Sequence, residues 1–280
     1  MERRIEADHF VAFRQWLVEE ERESATIEKY LREVKQFAAW MEGQPVTKEQ
    51  VTQWKAHLVA SGFQPGTVNG KLSALNKFFS FLGWTDCRVK YLKVQRRVFR
   101  STDQELTKEE YLRLLETAQG IGRERLALII ETICATGIRI SELKYITVEN
   151  IYKERANISL KNKIRTILLP SKLCNKLKKY ARKKKIASGE IFLTRSGKGL
   201  SRRQIWAEMK VLGVKAGVER SKVFPHNLRH LFARLFYRAC RDVVKLADVL
   251  GHSSIETTRM YLISTGAEHA RQLERLGLVS

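Results

Sequence analysis

No uninterrupted apolar run among the 280 residues approaches the roughly 20 needed to cross a bilayer. The N-terminus, MERRIEADHF, has no apolar h-region of the kind that marks a secretory leader. Cysteine is scarce: Cys87, Cys134, Cys174 and Cys240 lie far apart, in neither a zinc-type spacing nor a disulfide framework. They read as reduced thiols of a cytoplasmic protein. A Walker loop, a Gly-rich dinucleotide fingerprint and an acidic cluster able to hold magnesium are all missing. The expectation is a soluble chain with no membrane partner, no metal and no small-molecule cofactor.

Acidic residues are also few, and unevenly so. The chain has 52 Lys and Arg against 30 Asp and Glu, a net charge of +22. Residues 1–86 carry 11 basic and 12 acidic side chains, whereas residues 87–280 carry 41 and 18, so the excess lies almost wholly in the second part. Residues 50–85 contain no acidic side chain at all. An excess of this size favours a polyanion, and nucleic acid is the commonest one in a cytoplasm. An anionic membrane surface fits less well, because no apolar anchor accompanies the charge.

What is present suits two domains, given that domains usually run to about 100–200 residues. The first 82 residues read as a small bundle of four helices: HFVAFRQWLVEEERE, SATIEKYLREVKQFAAWMEG, TKEQVTQWKAHLVASG and PGTVNGKLSALNKFFSFLG. Each has apolar residues three and four apart, with Gly or Pro in the breaks and Ser24 and Thr47 as N-cap candidates. Residues 87–101, CRVKYLKVQRRVFRS, contain six basic side chains and no acidic one, with Tyr91 and Phe99 interleaved, as suits a linker along a phosphate backbone. Beyond it, helices mix with a few strands. ANISL and IRTILLP form an expected hairpin about Lys161, Asn162 and Lys163, and IFL an expected short strand.

Three segments could carry chemistry: ATGIRISEL at 135–143, PHNLRHLF at 225–232 and LGHSSIETTRMY at 250–261. Taken singly they say little. Arg139 could cap a helix or pair with Glu142, His226 and Arg229 share a helix face as many surface pairs do, His252 could be structural and Tyr261 a packed core residue. In order along the chain, however, they resemble the tyrosine recombinase (phage-type integrase) family. Its pattern is Arg, Lys, His-x-x-Arg, His or Trp, then Tyr, met here by Arg139, Lys161 or Lys163, His226 and Arg229, His252 and Tyr261. TGIRISEL resembles the family's TGLRxSEL, PHNLRHLFAR its PHxLRHtfAt, and LGHSSIETTRMY its LGHssixtTxxY.

The resemblance covers the whole chain and implies a mainly helical fold with a small antiparallel β-sheet. A helical, SAM-like core-binding domain is expected over 1–86, a basic linker over 87–102 and the catalytic domain over 103–280, a minimal Xer-like form. Tyr261 would attack a DNA phosphodiester to leave a 3′-phosphotyrosyl link. The chemistry needs donors for charge on the phosphate, and the planar fork of arginine suits that task, which makes Arg139 and Arg229 the clamp. His226 and His252, titrating near neutrality, would position the phosphate or handle protons, and Glu142 would orient Arg139. In the family a hairpin lysine protonates the leaving 5′ oxygen. Lys161 is preferred because it comes first in the turn, and Asn162, where glycine is common, keeps Lys163 open. The implied partners are double-stranded DNA and three further copies of the chain, a homotetramer on two DNA sites that exchanges strands through a Holliday junction for integration, excision or resolution. The C-terminal segment TGAEHARQLERLGLVS would be exchanged between protomers. Two competing readings are a type IB topoisomerase-like nicking-closing enzyme and a catalytically silent DNA-binding regulator.

Overall fold

Four helices follow the apolar spacing of the first part of the chain: α1 (Ala7–Glu19), α2 (Ser24–Met41), α3 (Lys48–Ala60) and α4 (Pro65–Phe81). The structure, a computed structural model, describes residues 2–93, 104–160, 163–252, 254–259, 261, 274 and 275, with the backbone alone at 160, 163 and 164. The chain divides into two compact units, Met1–Arg96 and Arg97–Ser280. Two helix ends differ from expectation. α1 stops at Glu19 rather than Glu23, because Glu20, Glu21 and Glu23 would put carboxylates on the negative end of the helix dipole, and Glu21 turns the chain away with φ 52°. Ser24 is the first helical residue of α2 and not its cap, Glu23 taking the N-cap position without a side-chain bond. Thr47 does cap α3, its hydroxyl accepting the Gln50 N–H at 3.3 Å.

Inside the first unit Phe13, Phe37, Phe78 and Phe79 are fully buried, each side chain contributing about 1.5–3 kcal/mol on leaving water. Phe78 meets Phe13 edge-on at 5.0 Å and Phe79 meets Phe37 at 6.0 Å, so α4 lies against both α1 and α2. The segment leaving this unit runs along α4. Asn76 and Asn69, two helical turns apart on one face, each exchange a donor and an acceptor with its backbone: Asn76 with Val89 at 2.9 and 3.1 Å, Asn69 with Leu92 at 3.0 and 2.8 Å. The two amides satisfy backbone groups that would otherwise need a neighbouring strand.

The second unit is built on α6 (Glu124–Thr136), whose Leu126, Ala127, Leu128, Ile129, Ile130 and Ile133 are all buried. Against it pack α5 (Lys108–Gly120), α8 (Ser171–Lys183), α9 (Arg202–Lys215) and α10 (Pro225–Cys240). Between α6 and α8 lie a 3-10 turn (Ile140–Tyr145), α7 (Val148–Tyr152) and the antiparallel hairpin of β1 (Arg155–Leu160) and β2 (Lys163–Leu168). The strands alternate with period two: Ala156, Ile158 and Ile167 are buried while Asn157 and Thr166 face outward. α11 (Val243–Leu250) and α12 (Ile255–Arg259) complete the described helices. IFL is no strand. Ile191 and Phe192 are buried between two isolated bridges, Thr147 with Glu190 and Leu193 with Gly199. Among the described residues no helix is long and apolar enough to cross a membrane.

Candidate active site

Arg139 owes its place to the end of α6. Gly137 ends that helix with φ 65°, and a Cβ there would lie 2.4 Å from the Phe232 ring, so both conformation and space require glycine. The chain then enters the 3-10 turn, which returns Glu142 three residues later. Glu142 is 1% exposed. Its Oε2 accepts the Arg139 backbone N–H at 2.7 Å and its Oε1 accepts Arg139 Nη1 at 3.1 Å. A second guanidinium reaches the same carboxylate, as Arg165 Nη2 donates to Oε2 at 2.5 Å.

Arg165 is on β2 opposite Ile158, which puts it on the inner face of the hairpin. Its Nη1 donates to the Val249 carbonyl at 3.0 Å, tying the hairpin to the end of α11. It lies under Gly251, which caps α11 with φ 64° and lets the His252 N–H bond back to the Ala247 carbonyl at 3.0 Å. A Cβ on Gly251 would lie 2.4 Å from Arg165 Cδ. Gly251→Ala is therefore expected to lower stability by the left-handed penalty of about 1–2 kcal/mol and by a clash in addition. Gly217→Ala, with φ 60° and nothing within 4 Å of the added Cβ, bears only the first cost. Thermal unfolding of the two variants measures the difference.

Arg229 is set deeper. It is 2% exposed on α10, a helix started by Pro225 and held by Asn227, whose amide donates to the carbonyls of Gln104 at 2.9 Å and Lys222 at 2.8 Å. Its guanidinium donates to the Gly137 carbonyl through Nη1 and to the Leu250 carbonyl at 2.7 Å through Nη2. One cation thus joins the carbonyl ends of α6 and α11, where helix dipoles favour positive charge. Burial, then repulsion from Arg139, push its pKa down to about 10, with Arg165 adding to the repulsion. It remains cationic at any physiological pH.

His252 completes that contact, its Nε2 lying 2.9 Å from Arg229 Nη2. A guanidinium can only donate, so Nε2 is the acceptor and the neutral ring carries its proton on Nδ1, which lies 2.8 Å from the buried Thr258 hydroxyl. The expectation that His252 titrates near neutrality is corrected: burial first, then the nearby cations Arg229, Arg139 and Arg165, lower its pKa from 6.5 to about 4. NMR titration of the DNA-free protein is expected to show this imidazole neutral at pH 6. As pH falls the unfolded chain takes up the proton first, so this contribution to stability is full above about 6.5 and declines as pH drops towards 4.

Tyr261 is 7% exposed. Its backbone N–H bonds the Thr258 carbonyl at 2.9 Å. Ring centroids of His230, His252 and His226 lie 4.2, 5.5 and 5.8 Å from its own. The structure therefore gathers Arg139, His226, Arg229, His252 and Tyr261 around one cationic pocket. Lys161 lies outside the described residues, while Lys163 begins β2 two residues before Arg165. The sequence assigned no role to His230, although its place one turn after His226 on α10 was visible, and none to Arg165, which lies within IRTILLP.

A family model described as the phage integrase family matches residues 104–268, and one described as the phage integrase N-terminal SAM-like domain matches residues 11–86. The chain is similar to tyrosine recombinase XerA of Pyrococcus furiosus, with 29% identity across 99% of this chain and 97% of that protein. Tyrosine recombinase XerA of Thermococcus kodakarensis is 30% identical across 89% and 88% of the two chains. A lambda integrase tetramer bound to a Holliday junction superposes with a TM-score of 0.72 at 17% identity, covering 91% of this chain and 76% of that one, a likeness of fold. The first of these family matches spans more than half of the chain, and the protein belongs to the phage integrase family, the tyrosine recombinases.

Proposed function

We propose that this protein is a site-specific DNA recombinase that cuts and rejoins duplexes through a 3′-phosphotyrosyl link on Tyr261. The observation that carries this reading is the Tyr261 phenol stacked on His252, whose ring accepts from the buried Arg229 at 2.9 Å, with Arg165 tied to the same helix end at Val249. Arg139 and Arg165 share one carboxylate, Glu142, and Arg229 bonds carbonyls and His252 instead, so the three guanidiniums keep a net positive charge for the anion they would receive. A phosphodiester bound there would take donors from Arg229, fixed by two carbonyls, and from Arg139, paired with Glu142 through Nη1 and with a side chain 44% exposed. His226, exposed near the start of α10, would donate to the same phosphate.

The Tyr261 oxygen then forms a bond to phosphorus as the bond to the 5′ oxygen breaks. The arginines meet the negative charge that builds on the non-bridging oxygens. The departing oxygen takes a proton from Lys161, or from Lys163 if the hairpin presents that residue instead. A bound phosphate also offsets the repulsion that lowers the His252 pKa, bringing that ring back towards a range where it can share the Tyr261 proton. Rejoining runs the same steps backwards with a 5′ hydroxyl from the partner duplex. The number of phosphodiester bonds is conserved, so no cofactor is called for.

Residues 1–86 would grip the DNA as a core-binding domain, 87–102 would run along its backbone and 103–280 would carry the chemistry. Four protomers on two sites would exchange one pair of strands at a time; lambda integrase is seen as a tetramer bound to a Holliday junction. The segment after Tyr261, passed to a neighbouring protomer, would couple them; residues 262–273 and 276–280 are outside the described ones. The cytoplasm is the expected compartment.

The test starts from a randomised library of centrally nicked duplexes, from which covalently captured members are recovered and sequenced. A protein–DNA adduct on a recovered duplex, followed by crossed products from two such duplexes, is the expected result. Tight binding without an adduct would point to a regulator, and adducts with plasmid relaxation but no crossed product would point to a topoisomerase.

A further inference from the structure

His230 is 8% exposed on α10. Among the three imidazoles around Tyr261 its ring is the nearest, 4.2 Å away with the planes tilted by 46°. His226 meets it edge-on, with centroids 4.6 Å apart and planes at 87°. The phenol is thus flanked by His230 and His226 of α10 and by His252, whose ring lies at 19° to it. Tyr261 follows α12, and the backbone bond from its N–H to Thr258 fixes the chain there without fixing the ring.

We infer that His230 is a positioning residue for the nucleophile, its ring forming the wall that sets the direction of the Tyr261 phenol. The inference rests on the reading of Tyr261 as nucleophile. In-line attack requires the phenolic oxygen about 3–3.5 Å from phosphorus and aligned with the breaking bond, and a displacement of about 1 Å can lower a rate by about 100-fold. A phenol has two side-chain torsions to restrict. His252 restricts one side while bound to Arg229 and Thr258, and His230 restricts the other from a helix that also carries Arg229. The phosphate clamp and the wall behind the nucleophile therefore share one rigid element, so their relative placement does not depend on a loop. Contact through ring faces predicts that an aromatic ring serves at position 230, with or without nitrogens.

The experiment compares His230→Ala and His230→Phe with the wild type on the nicked duplex recovered by covalent capture. Single-turnover cleavage is measured at saturating protein, with Kd and melting temperature alongside. The Ala variant is expected to cleave at least about 10-fold more slowly with Kd nearly unchanged, and the Phe variant to recover most of the rate. The inference is overturned if the Ala variant cleaves at the wild-type rate, if its defect is in Kd alone, or if the Phe variant is as slow as the Ala variant. Should the Ala variant fail to fold, the Phe variant decides: a near-normal rate supports the ring wall, and a 10-fold loss removes it. A wild-type protein that makes no adduct instead brings down the nucleophile assignment, so the two failures are told apart.

Discussion

Tyr261→Phe is expected to bind the captured duplex as well as the wild type does and to form no covalent adduct. The ring contributes packing that the substitution keeps: Tyr261 joins Ala233, Leu246 and Leu250 in a small apolar cluster, with Phe232, Phe236 and Tyr237 against it. Only the hydroxyl is lost, and with it the oxygen that would bond to phosphorus. Removing a nucleophile from a covalent mechanism typically lowers turnover by about 10^4 or more, which on a denaturing gel is the disappearance of the shifted band. Melting temperature is expected to stay close to that of the wild type, because the ring packing is kept and a single hydrogen-bonding group is worth about 1 kcal/mol. An adduct that persists in the Phe variant would mean that another side chain attacks.

Arg229 is the second position at which a large effect is expected. Arg229→Lys keeps the charge but loses the fork, and one ammonium cannot serve the Gly137 carbonyl, the Leu250 carbonyl and His252 in the positions the guanidinium holds them. Loss of one preorganised donor to developing negative charge usually costs about 10^2–10^3 in rate, and cleavage by the Lys variant is expected to fall by that factor. Arg229→Gln removes the charge as well. It relieves the repulsion from Arg139 and Arg165 but leaves buried carbonyls short of donors, at about 1–3 kcal/mol each, so a net loss of stability is expected. The His252 pKa separates the two variants. Arg229 is the largest of the nearby charges that lower it, after burial. The imidazole is therefore expected to titrate above about 4 in the Gln variant and to remain low in the Lys variant. An unchanged His252 titration in the Gln variant would show that burial alone sets it.

Much of the helical architecture was legible in the sequence because apolar residues at spacings of three and four need only a neighbour to pack against. The misreadings fell where local pattern and context part. Glu20 to Glu23 continue the composition of α1 but oppose its dipole. IFL has the apolar run of a buried strand, yet three residues cannot distinguish a strand from a buried connection held by bridges at either end. The exit from the first unit was read as a basic linker from its charge, and charge gave no sign that Val89 and Leu92 bond the Asn76 and Asn69 side chains of α4. That pairing depends on a register between distant segments, which periodicity does not encode.

The candidate site divides in the same way. Sequence by itself determined which residue types stand in which order, from Arg139 to Tyr261, and that they sit in the basic part of the chain, because side-chain chemistry and formal charge do not depend on folding. Tertiary structure alone decided what those groups experience. Packing of α10 against α6 brings Arg229 to the carbonyl of Gly137, 92 residues earlier in the chain. The hairpin register turns Arg165 inward to share Glu142. Burial among three guanidiniums makes His252 a neutral acceptor instead of a group poised near pH 7. His230 acquires its place beside Tyr261 only when α10 meets the turn after α12. Desolvation and Coulomb interaction depend on distances through space, and those distances are a property of the packed chain.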